Sequence, residues 1–494
     1  MLRPFEITQG DRLPKDPMRT VSLLAILPLA ACAIASDIPS PAPEVPAAYR
    51  ATADGRAIWP AAAWWRGFGS AELDRLIAAA REANFDIHAA VARVRQADAQ
   101  LTAAGAPLLP SVSLGGSGQW SQSSLRRVSG QLARTTTTET RSFSTSPSVS
   151  WELDLWGRVA AGRESAAASA LASRFDQEAV ALSVVTAVAS TWFQALALQD
   201  RVAVAHRNLT DAEMILRAIQ ARESAGTASA LDVAQQAALV AGVRANIPGL
   251  QSQLEQQLTA LGLLTGRPPS AVTVRPGTLD ALRLPEIAPG LPSALLARRP
   301  DVAGAEALLA AASANIKVAR AAFFPRVSLS GSAGWQSLVL GNLFGPGSLF
   351  ANVALSGTQA VFDNGALSAQ VELDRGRYDE LLANYQKSVV QAFTDVENGV
   401  RGYDYATEQE RLTVEAVRVA QLAADIASEQ VRAGTSDVVR ALQAQTTLFQ
   451  DLDSLAQVRL ARFQALLSLY KAMGGGWSRD DVAAPEVRLF QGVL

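Results

Sequence analysis

The chain has 494 residues, and its 44 basic and 46 acidic side chains give a formal net charge of −2, which provides no basic field for nucleic acid. A single cysteine excludes a disulfide framework, a zinc finger and an iron–sulfur site, and the two histidines, His88 and His206, have no clustered ligands that would suggest a metal site. We find no run of about 18–20 apolar residues, so the sequence predicts no membrane-spanning helix.

The first recognisable element is a run of about eleven apolar residues that follows Arg19 and ends in Leu29-Ala30-Ala31-Cys32. The run has the length of a signal-peptide core and is too short to span a membrane. Its last four residues resemble the lipobox of bacterial lipoproteins. This resemblance implies that residues 1–31 are a signal peptide and that Cys32 carries a lipid anchor. Because Ala33 and not an aspartate follows, the implied destination is the outer membrane.

The segments on either side of this run are not predicted to form domains. Residues 1–17 contain Asp11, Asp16 and three prolines, which is unlike the start of a signal peptide, so we expect translation to begin at Met18. Residues 32–60 contain five prolines and are predicted to form an extended tether.

The rest of the chain repeats itself. Residues 110–120 and 325–335 are identical at seven of eleven positions, at an offset of 215, whereas two later matches have an offset of about 208. The difference of about seven residues is predicted to lie in a loop near 121–140. The later matches are Leu153-Asp154-Leu155-Trp156-Gly157 with Phe362-Asp363-Asn364-Gly365, and Ala225-Gly226-Thr227 with Ala433-Gly434-Thr435.

The repeat defines four segments after the tether. They are a first repeat at 61–264, an equatorial linker at 265–300, a second repeat at 301–477 and a C-terminal tail at 478–494.

Each repeat contains a pair of predicted strands. Serine alternates with larger or apolar residues along 142–150, and residues 327–362 include no charged residue. A soluble sheet usually carries Lys or Glu on its exposed face, so this pattern favours transmembrane β-strands with a polar lumen. The strands are predicted at about 111–122, 140–154, 326–337 and 349–361.

Four strands with open edges cannot end in lipid, because the edge N–H and C=O groups would be unpaired. Several chains must therefore share one closed barrel. Two chains would give eight strands, which side chains fill, whereas three would give twelve, which is enough for a water-filled lumen. We predict a mixed α+β membrane protein in which four strands per chain contribute to a trimeric, twelve-stranded barrel.

Long helices are predicted to follow each strand pair. The first helix of each repeat contains no proline, and about 67 residues would extend about 100 Å. Gly226 and Gly434 are expected to end these helices. Long helix pairs pack as coiled coils, so the helices are predicted to continue the barrel as a tube. The predicted bounds are about 157–224 and 231–262, then about 365–432 and 438–472.

Four segments outside the strands and long helices stand out as motifs. They are Trp64-Trp65-Arg66-Gly67-Phe68, the stretch 295–302 with Arg298-Arg299-Pro300-Asp301, the stretch 319–325, and Tyr470 to Trp477 with its three glycines. In this order they resemble the outer-membrane efflux lipoproteins, which are the exit ducts of tripartite pumps. The resemblance implies a homotrimer with a twelve-stranded barrel in the outer membrane and a helical tunnel through the periplasm. It also implies docking to a periplasmic adaptor and to an inner-membrane transporter of the resistance-nodulation-division class, with passive passage of drugs and other small toxic solutes.

The resemblance also places a gate just after the helix-breaking glycines. Asp232, six residues after Gly226, matches the family's gating aspartate. The family's tyrosine falls on Val431, and its leucine and acidic constriction positions fall on Val439 and Gln443. This chain therefore departs from the family at the tyrosine latch and the acidic ring.

Arg432 and Arg440 lie close to these positions in sequence. We hypothesise that Asp232 forms a charge pair with one of the two arginines. The alternative is that Asp232, like Asp437, stabilises the N-terminus of a helix.

Arg299 and Asp301 flank Pro300 at a predicted helix start. We interpret both as structural, with Asp301 favoured by the helix dipole and Arg299 pairing locally. Glu152 and Asp154 are interpreted as solvated charges on the lumen face of a strand.

An enzyme is not expected, because the sequence contains no phosphate-binding loop, no credible catalytic triad and no metal-ligand spacing, and no cofactor is predicted. The alternative function is a lipid-anchored periplasmic coiled-coil scaffold or adaptor without a pore. A duct that exports proteins or metal ions is a further possibility.

Overall fold

The computed structural model describes residues 44–50, 57–129, 132–433, 435 and 438–482. Cys32, Gly434 and Asp437, together with the predicted signal peptide and residues 483–494 of the predicted tail, lie outside the described residues. The helices, apart from short 3₁₀ turns, are α1 (Ala71–Ala83), α2 (Phe85–Gly105), α3 (Arg158–Ser224), α4 (Ala230–Leu264), α5 (Pro292–Leu296), α6 (Pro300–Ala321), α7 (Ala366–Arg432) and α8 (Val438–Ala472).

Four strands form one antiparallel sheet in the order β1-β2-β3-β4. Each repeat supplies one hairpin, and the chain leaves the sheet between β2 and β3 to form helices α3 to α6. The two outer edges of the sheet, on β1 and β4, have no partner strand among the described residues. The strands are β1 (Ser111–Ser129), β2 (Leu132–Leu153), β3 (Arg326–Ser337) and β4 (Leu349–Thr358).

The first hairpin is longer than predicted. The sequence analysis placed a loop near 121–140, but β1 and β2 remain paired from Ser111↔Ser150 to Ser129↔Leu132. The extra residues of the first repeat therefore lengthen two strands. In the second hairpin, β4 ends at Thr358 instead of the predicted 361.

The motif shared by the two repeats after each hairpin is a helix start. The Asp154 carboxylate accepts hydrogen bonds from the backbone N–H groups of Val159 and Ala160 at 2.9 and 2.8 Å. Asp363 accepts from Gly365 and Leu367 at 3.0 and 2.7 Å. Each aspartate thus satisfies N–H groups that the first turn of a helix leaves unpaired.

Glycines at both ends of α3 and before α7 adopt positive φ, which costs glycine little. Gly157 and Gly365 precede the two long helices with φ of 72° and 85°. Gly226 follows α3 with φ of 76°, and Thr227 N donates to Arg222 O at 2.8 Å, as in a helix C-terminal cap. The turn lets α4 return along α3.

The main core lies midway along α3, where this helix, α1 and the C-terminal end of α8 meet the linker. Trp64 stacks on Tyr470 with ring centroids 4.7 Å apart, and Phe68, Phe193 and Phe463 fill the space beside them. Burial raises the pKa of Tyr470 to about 12. We call this level of the molecule the equator.

Two described helices, Arg158–Ser224 and Pro300–Ala321, are long and apolar enough to cross a membrane by length and composition alone. The prediction that no such stretch exists is therefore wrong. Their apolar windows are 44% and 50% buried within the chain, and Val188, Phe193, Ala312 and Ile316 are core residues. Packing within the helical part of the molecule accounts for their apolar character.

Candidate functional site: sheet faces, helix tips and equatorial joint

One face of the sheet is apolar and open to its surroundings. Alternation along the strands places Val112, Leu114, Trp120 and Val149 on this face together with large residues of β3 and β4. Most valine, leucine and tryptophan side chains here are about 40% to 80% exposed, whereas Leu329 is half-buried. Such a continuous apolar surface requires an apolar environment or a partner. Its second-repeat members include Leu329, Trp335, Leu349, Val353 and Leu355.

The opposite face is lined by small hydroxyl side chains that bond across the strands. The hydroxyls of Ser113 and Ser148, and of Ser117 and Ser144, lie 2.8 Å apart. The second hairpin repeats this arrangement with Ser328 and Ser356 at 2.8 Å. Because one face is apolar and the other hydroxyl-lined, the sheet matches a wall between lipid and water.

Charged residues at the foot of this wall are not the freely solvated groups that the sequence suggested. Arg158 donates to both carboxylate oxygens of Glu152, at 2.8 to 3.0 Å, and Asp154 caps α3. Beside them, Trp156 Nε1 donates to Pro325 O at 2.7 Å and the indole stacks on Phe324. These contacts join the first repeat to the second where strands become helices.

At the far end of the long helices, Asp232 forms a capping box. Its carboxylate accepts from Ser229 N and Oγ at 2.8 Å, and Ser229 Oγ accepts from Asp232 N at 3.2 Å. These hydrogen bonds from Ser229 lower the pKa of Asp232. The arrangement satisfies the first N–H groups of α4.

The other predicted gate residues lie on α7 and α8. Arg432 binds Glu429 at 2.7 Å, and within the described part of one chain no ion pair joins Asp232 to Arg432 or Arg440. Arg440 and Gln443 are exposed and Val439 is 37% exposed. The structure of one chain therefore does not bring the predicted pair together.

An apolar cluster lies between the end of α3, the end of α7 and the start of α8, which we call the helix tips. Val431, which the resemblance matched with a tyrosine, is buried with Ile219, Val438 and Ala441. Arg222 Nη1 donates to Val431 O at 2.8 Å, which ties the end of α3 to the end of α7. The tips of the two helix pairs are thus held together within one chain.

Arg299 links three helices at the equator. Its guanidinium donates to both carboxylate oxygens of Asp301 at 3.0 and 2.6 Å, to Asp395 at 2.8 Å and to Ala472 O at 3.3 Å. Burial alone would raise the pKa of Asp301, but the hydrogen bonds and charge of Arg299 outweigh burial and lower it. Arg298 instead lies over the Trp59 ring, with 4.7 Å to the centroid.

The Arg298-Arg299-Pro300-Asp301 motif and the glycine motif that follows α8 meet at the equator. Pro300 begins α6, and Gly474 follows α8 with φ of 82°. A Cβ atom on Gly474 would overlap the carbonyl oxygen of Arg298. The arginine motif and the glycine motif are therefore in direct contact with each other.

The first repeat contains the same contact with different residues. Asn84 Nδ2 donates to Leu264 O at 2.9 Å, and a Cβ atom on Gly266 would overlap the carbonyl oxygen of Ala83. Offsets of 215 and 208 convert these positions into those of the second repeat. We define the equatorial joint as Asn84, Leu264 and Gly266 with Arg299, Ala472 and Gly474. The sequence analysis missed the first half, although the repeat offsets carry the signal.

The model of the family described as "Outer membrane efflux protein" matches residues 76–267 and 291–475. The pyoverdine export outer membrane protein OpmQ of Pseudomonas aeruginosa is 39% identical over 473 residues, which cover 94% of this chain and 98% of the relative. The toluene efflux pump outer membrane protein TtgC of Pseudomonas putida is 32% identical, covering 91% and 93%. The outer-membrane channel OprN has a TM-score of 0.82 at 27% identity, covering 89% and 99%.

Proposed function

The chain belongs to the outer membrane efflux protein family, and from this premise we propose that three copies close one twelve-stranded barrel and one helical tube. The protein is an outer-membrane exit duct of an efflux pump, and the comparisons give no support to a scaffold without a pore. The observation that carries the proposal is the sheet itself, which has one apolar face, one hydroxyl-lined face and two edges without a partner strand in the described part of the chain.

Closure through further copies would pair the edges of the sheet and would place its exposed apolar face on the outside of a barrel, in contact with lipid. In lipid, every backbone N–H and C=O must be paired, so the edges of β1 and β4 require partner strands. Eight strands would be filled by side chains, whereas twelve leave room for solutes. Three copies supply twelve strands.

The long helix α7 provides a second argument for closure. Tyr405, Leu412, Val419 and Ile426 recur every seven residues, and each is half exposed or more. A seven-residue apolar repeat is the seam of a coiled coil. Within the chain α3 packs on α8, for example through Arg201 and Asp453. The repeat relates α3 to α7 and α8 to α4, so the seam of α7 would face α4 of the next copy.

We propose that the cargo is small organic solutes, as the names of the relatives indicate for pyoverdine and toluene. A lumen lined by serine hydroxyls would present hydrogen-bonding groups without fixed charge. The partners would be a periplasmic adaptor and an inner-membrane resistance-nodulation-division transporter. The anchor would be lipid on Cys32.

The native mass of protein extracted from outer membranes in mild detergent tests the proposal. We expect a mass of three 52.0 kDa chains, less the signal peptide, that collapses to one chain on boiling. Deleting the chain from its source cell should make that cell retain a fluorescent dye or siderophore. A monomer that remains in the periplasmic fraction, with normal efflux, would refute the duct.

The gate is proposed to form between copies. Asp232 begins α4 and Arg432 ends α7, and these helices become neighbours when α7 of one copy meets α4 of the next. The Arg432–Glu429 pair is solvent-exposed and weak, so exchanging it for Asp232 of the next copy would cost little. Arg440 is the alternative partner.

Two alanine variants separate gating from capping. Ser229→Ala and Asp232→Ala both break the capping box, at a cost of about 0.5–2 kcal/mol each. Because only Asp232→Ala removes the carboxylate, we expect only this variant to make cells at least fourfold more sensitive to vancomycin. Equal sensitivity of the two variants would leave Asp232 as a helix cap and refute the latch.

A further inference from the structure

A cavity of about 490 Å³ lies in the helical part of the molecule, between α3, α4 and α8. We propose that this cavity is a binding site for a neutral organic molecule that combines an apolar body with an amide or hydroxyl group. The proposal goes beyond an exit duct, because the site would hold a solute in the wall of the proposed tube. All of its walls belong to one chain, so the site does not depend on how many copies assemble.

The cavity has a closed floor and an open rim. Ala205 and Asn208 of α3 and Leu250 of α4 line it and are buried. Asn246 of α4 and Gln450 of α8 also line it and are exposed, so they stand at the rim. A cavity of about 300–1,000 Å³ with mostly apolar walls and a few polar groups is typical of sites for small organic molecules. Size and lining therefore both fit such a ligand.

Two small residues of α4 leave the cavity open. Ala238 and Gly242 line it, and the offset of 208 places Thr446 and Gln450 at the equivalent positions of the second repeat. Nothing lies within 4 Å of the Cβ position of Gly242. Glycine inside a helix is unfavourable compared with alanine, so Gly242 weakens α4 at the point where a side chain would enter the cavity. The first repeat therefore keeps space that larger side chains would occupy.

Asn208 is the residue that points to a ligand. It is 6% exposed, and its side-chain amide makes no hydrogen bond within the part of the chain that the structure describes. An amide group has two N–H donors and a carbonyl acceptor, and a buried polar group without a partner is destabilising. A ligand carbonyl or hydroxyl oxygen in the cavity could accept from Asn208, and a ligand N–H or O–H could donate to it. An amide or hydroxyl compound would therefore pair a group that the protein leaves unpaired.

The two charged residues that line the cavity neutralise each other. Arg201 donates to both carboxylate oxygens of Asp453, at 2.6 and 3.1 Å, and Gln457 donates to the same carboxylate at 2.6 Å. A charged ligand would lose its hydration in the cavity without gaining a free counter-ion, which is unfavourable. A neutral ligand avoids this loss, so the cavity selects against charge.

The apolar body of the ligand would contact side chains from all three helices. Val204 of α3, Leu239 and Val243 of α4 and Phe449 of α8 line the cavity and are half-buried. A bound ring or alkyl chain would remove the remaining exposed surface of these side chains from water, which favours binding. Phe449 adds a ring against which an aromatic ligand can stack or pack edge to face.

Equilibrium dialysis of the purified protein in mild detergent tests the site. The probe is 1-naphthaleneacetamide, which has an apolar bicyclic ring and a neutral primary amide. We expect saturable binding of one molecule per chain. Gly242→Leu places a side chain in the space of the ligand and should weaken binding by about tenfold or more. Asn208→Leu keeps a similar volume but removes the amide, and should weaken binding by about three- to tenfold.

Two controls separate the site from unspecific uptake of the probe. Gly249→Leu makes the same exchange further along α4, where the Cβ position is also open but does not line the cavity, and this variant should bind like the parent. The anion 1-naphthaleneacetate has the same ring with a carboxylate in place of the amide, and should bind about tenfold more weakly.

Each contrary result overturns a stated part of the inference. If the parent trimer shows no saturable binding, the site is wrong and the duct is unaffected. Binding that Gly242→Leu and Asn208→Leu both leave unchanged would place the ligand elsewhere and also overturn the site. Equal binding of the amide and the carboxylate would overturn the neutral class of ligand.

The site and the duct can fail separately. A monomeric parent that binds the probe as expected would refute the duct and leave the site in place. Because Gly242→Leu and Asn208→Leu alter different helices, either variant tests the site if the other fails to fold.

Discussion

Replacing Gly474 with alanine is expected to abolish assembly of the protein in the outer membrane. Gly474 has φ of 82°, where a residue with a Cβ atom is strained by about 1–3 kcal/mol. The added Cβ atom would also overlap the carbonyl oxygen of Arg298, which is backbone and cannot rotate away. We expect a total cost above about 3 kcal/mol and more than tenfold less heat-dissociable trimer on a gel of outer-membrane extract.

The repeat supplies both a second test and a control. Gly266 occupies the equivalent position against Ala83, so Gly266→Ala should be similarly harmful. Gly376 is exposed within α7, and nothing lies within 4 Å of its Cβ position. Gly376→Ala should therefore be neutral or stabilising by up to about 1 kcal/mol. Normal assembly of Gly474→Ala would show that the α8 end can move away from α6.

The sequence predicted the architecture because its main elements have strong periodic signals. Alternating serine and apolar residues located the hairpins, and glycines marked the ends of the long helices. The extension of β1 beyond residue 122 and of β2 before residue 140 was missed because residues 135–140 are nearly all threonine. In the proposed barrel this part of the hairpin would lie beyond the lipid, where both faces contact water and no apolar alternation is needed.

The equatorial joint could be predicted only in part. The half in the second repeat has a recognisable motif at Arg299. In the first repeat, Asn84 donates the equivalent hydrogen bond, and Asn84 is an ordinary helix-capping residue. Only the glycines are identical between the two halves, since both positions require the same backbone conformation. For Asp232, the sequence analysis gave a helix N-terminal residue as the alternative to a gate, and the structure shows Asp232 in a capping box with Ser229.

Replacing Arg299 with alanine is expected to give the second-largest loss of stability. The arginine is 7% exposed, and its removal takes the cationic partner from Asp301 and Asp395 and a donor from the Ala472 carbonyl. Breaking a buried pair costs about 3–5 kcal/mol. Because the side chains of Asp301 and Asp395 are 45% and 34% exposed, water replaces part of the interaction, and we expect about 2–3 kcal/mol. The measurement is the thermal midpoint of trimer dissociation in detergent.

Arg298→Ala is the matched control. Arg298 contributes a cation–π contact with Trp59, worth about 0.5–1 kcal/mol at a partly exposed site. An effect of Arg298→Ala as large as that of Arg299→Ala would mean that the ion pairs are not the source of the loss.

Acid distinguishes the ion pair from simple packing at Arg299. Arg299 lowers the pKa of Asp301, so the stability that this carboxylate contributes is present above the ordinary aspartate pKa of about 4 and is lost as the pH falls through the lowered value. The parent trimer should therefore keep this contribution from pH 7 to pH 5 and lose it below about pH 4. In Arg299→Ala, the hydrogen bonds and charge of Arg299 no longer lower the pKa of Asp301, and burial, which opposes ionisation, is the largest influence that remains, so less stability depends on the ionised carboxylate. The difference in thermal midpoint between parent and variant should accordingly shrink as the pH falls. A loss of packing alone would leave this difference constant.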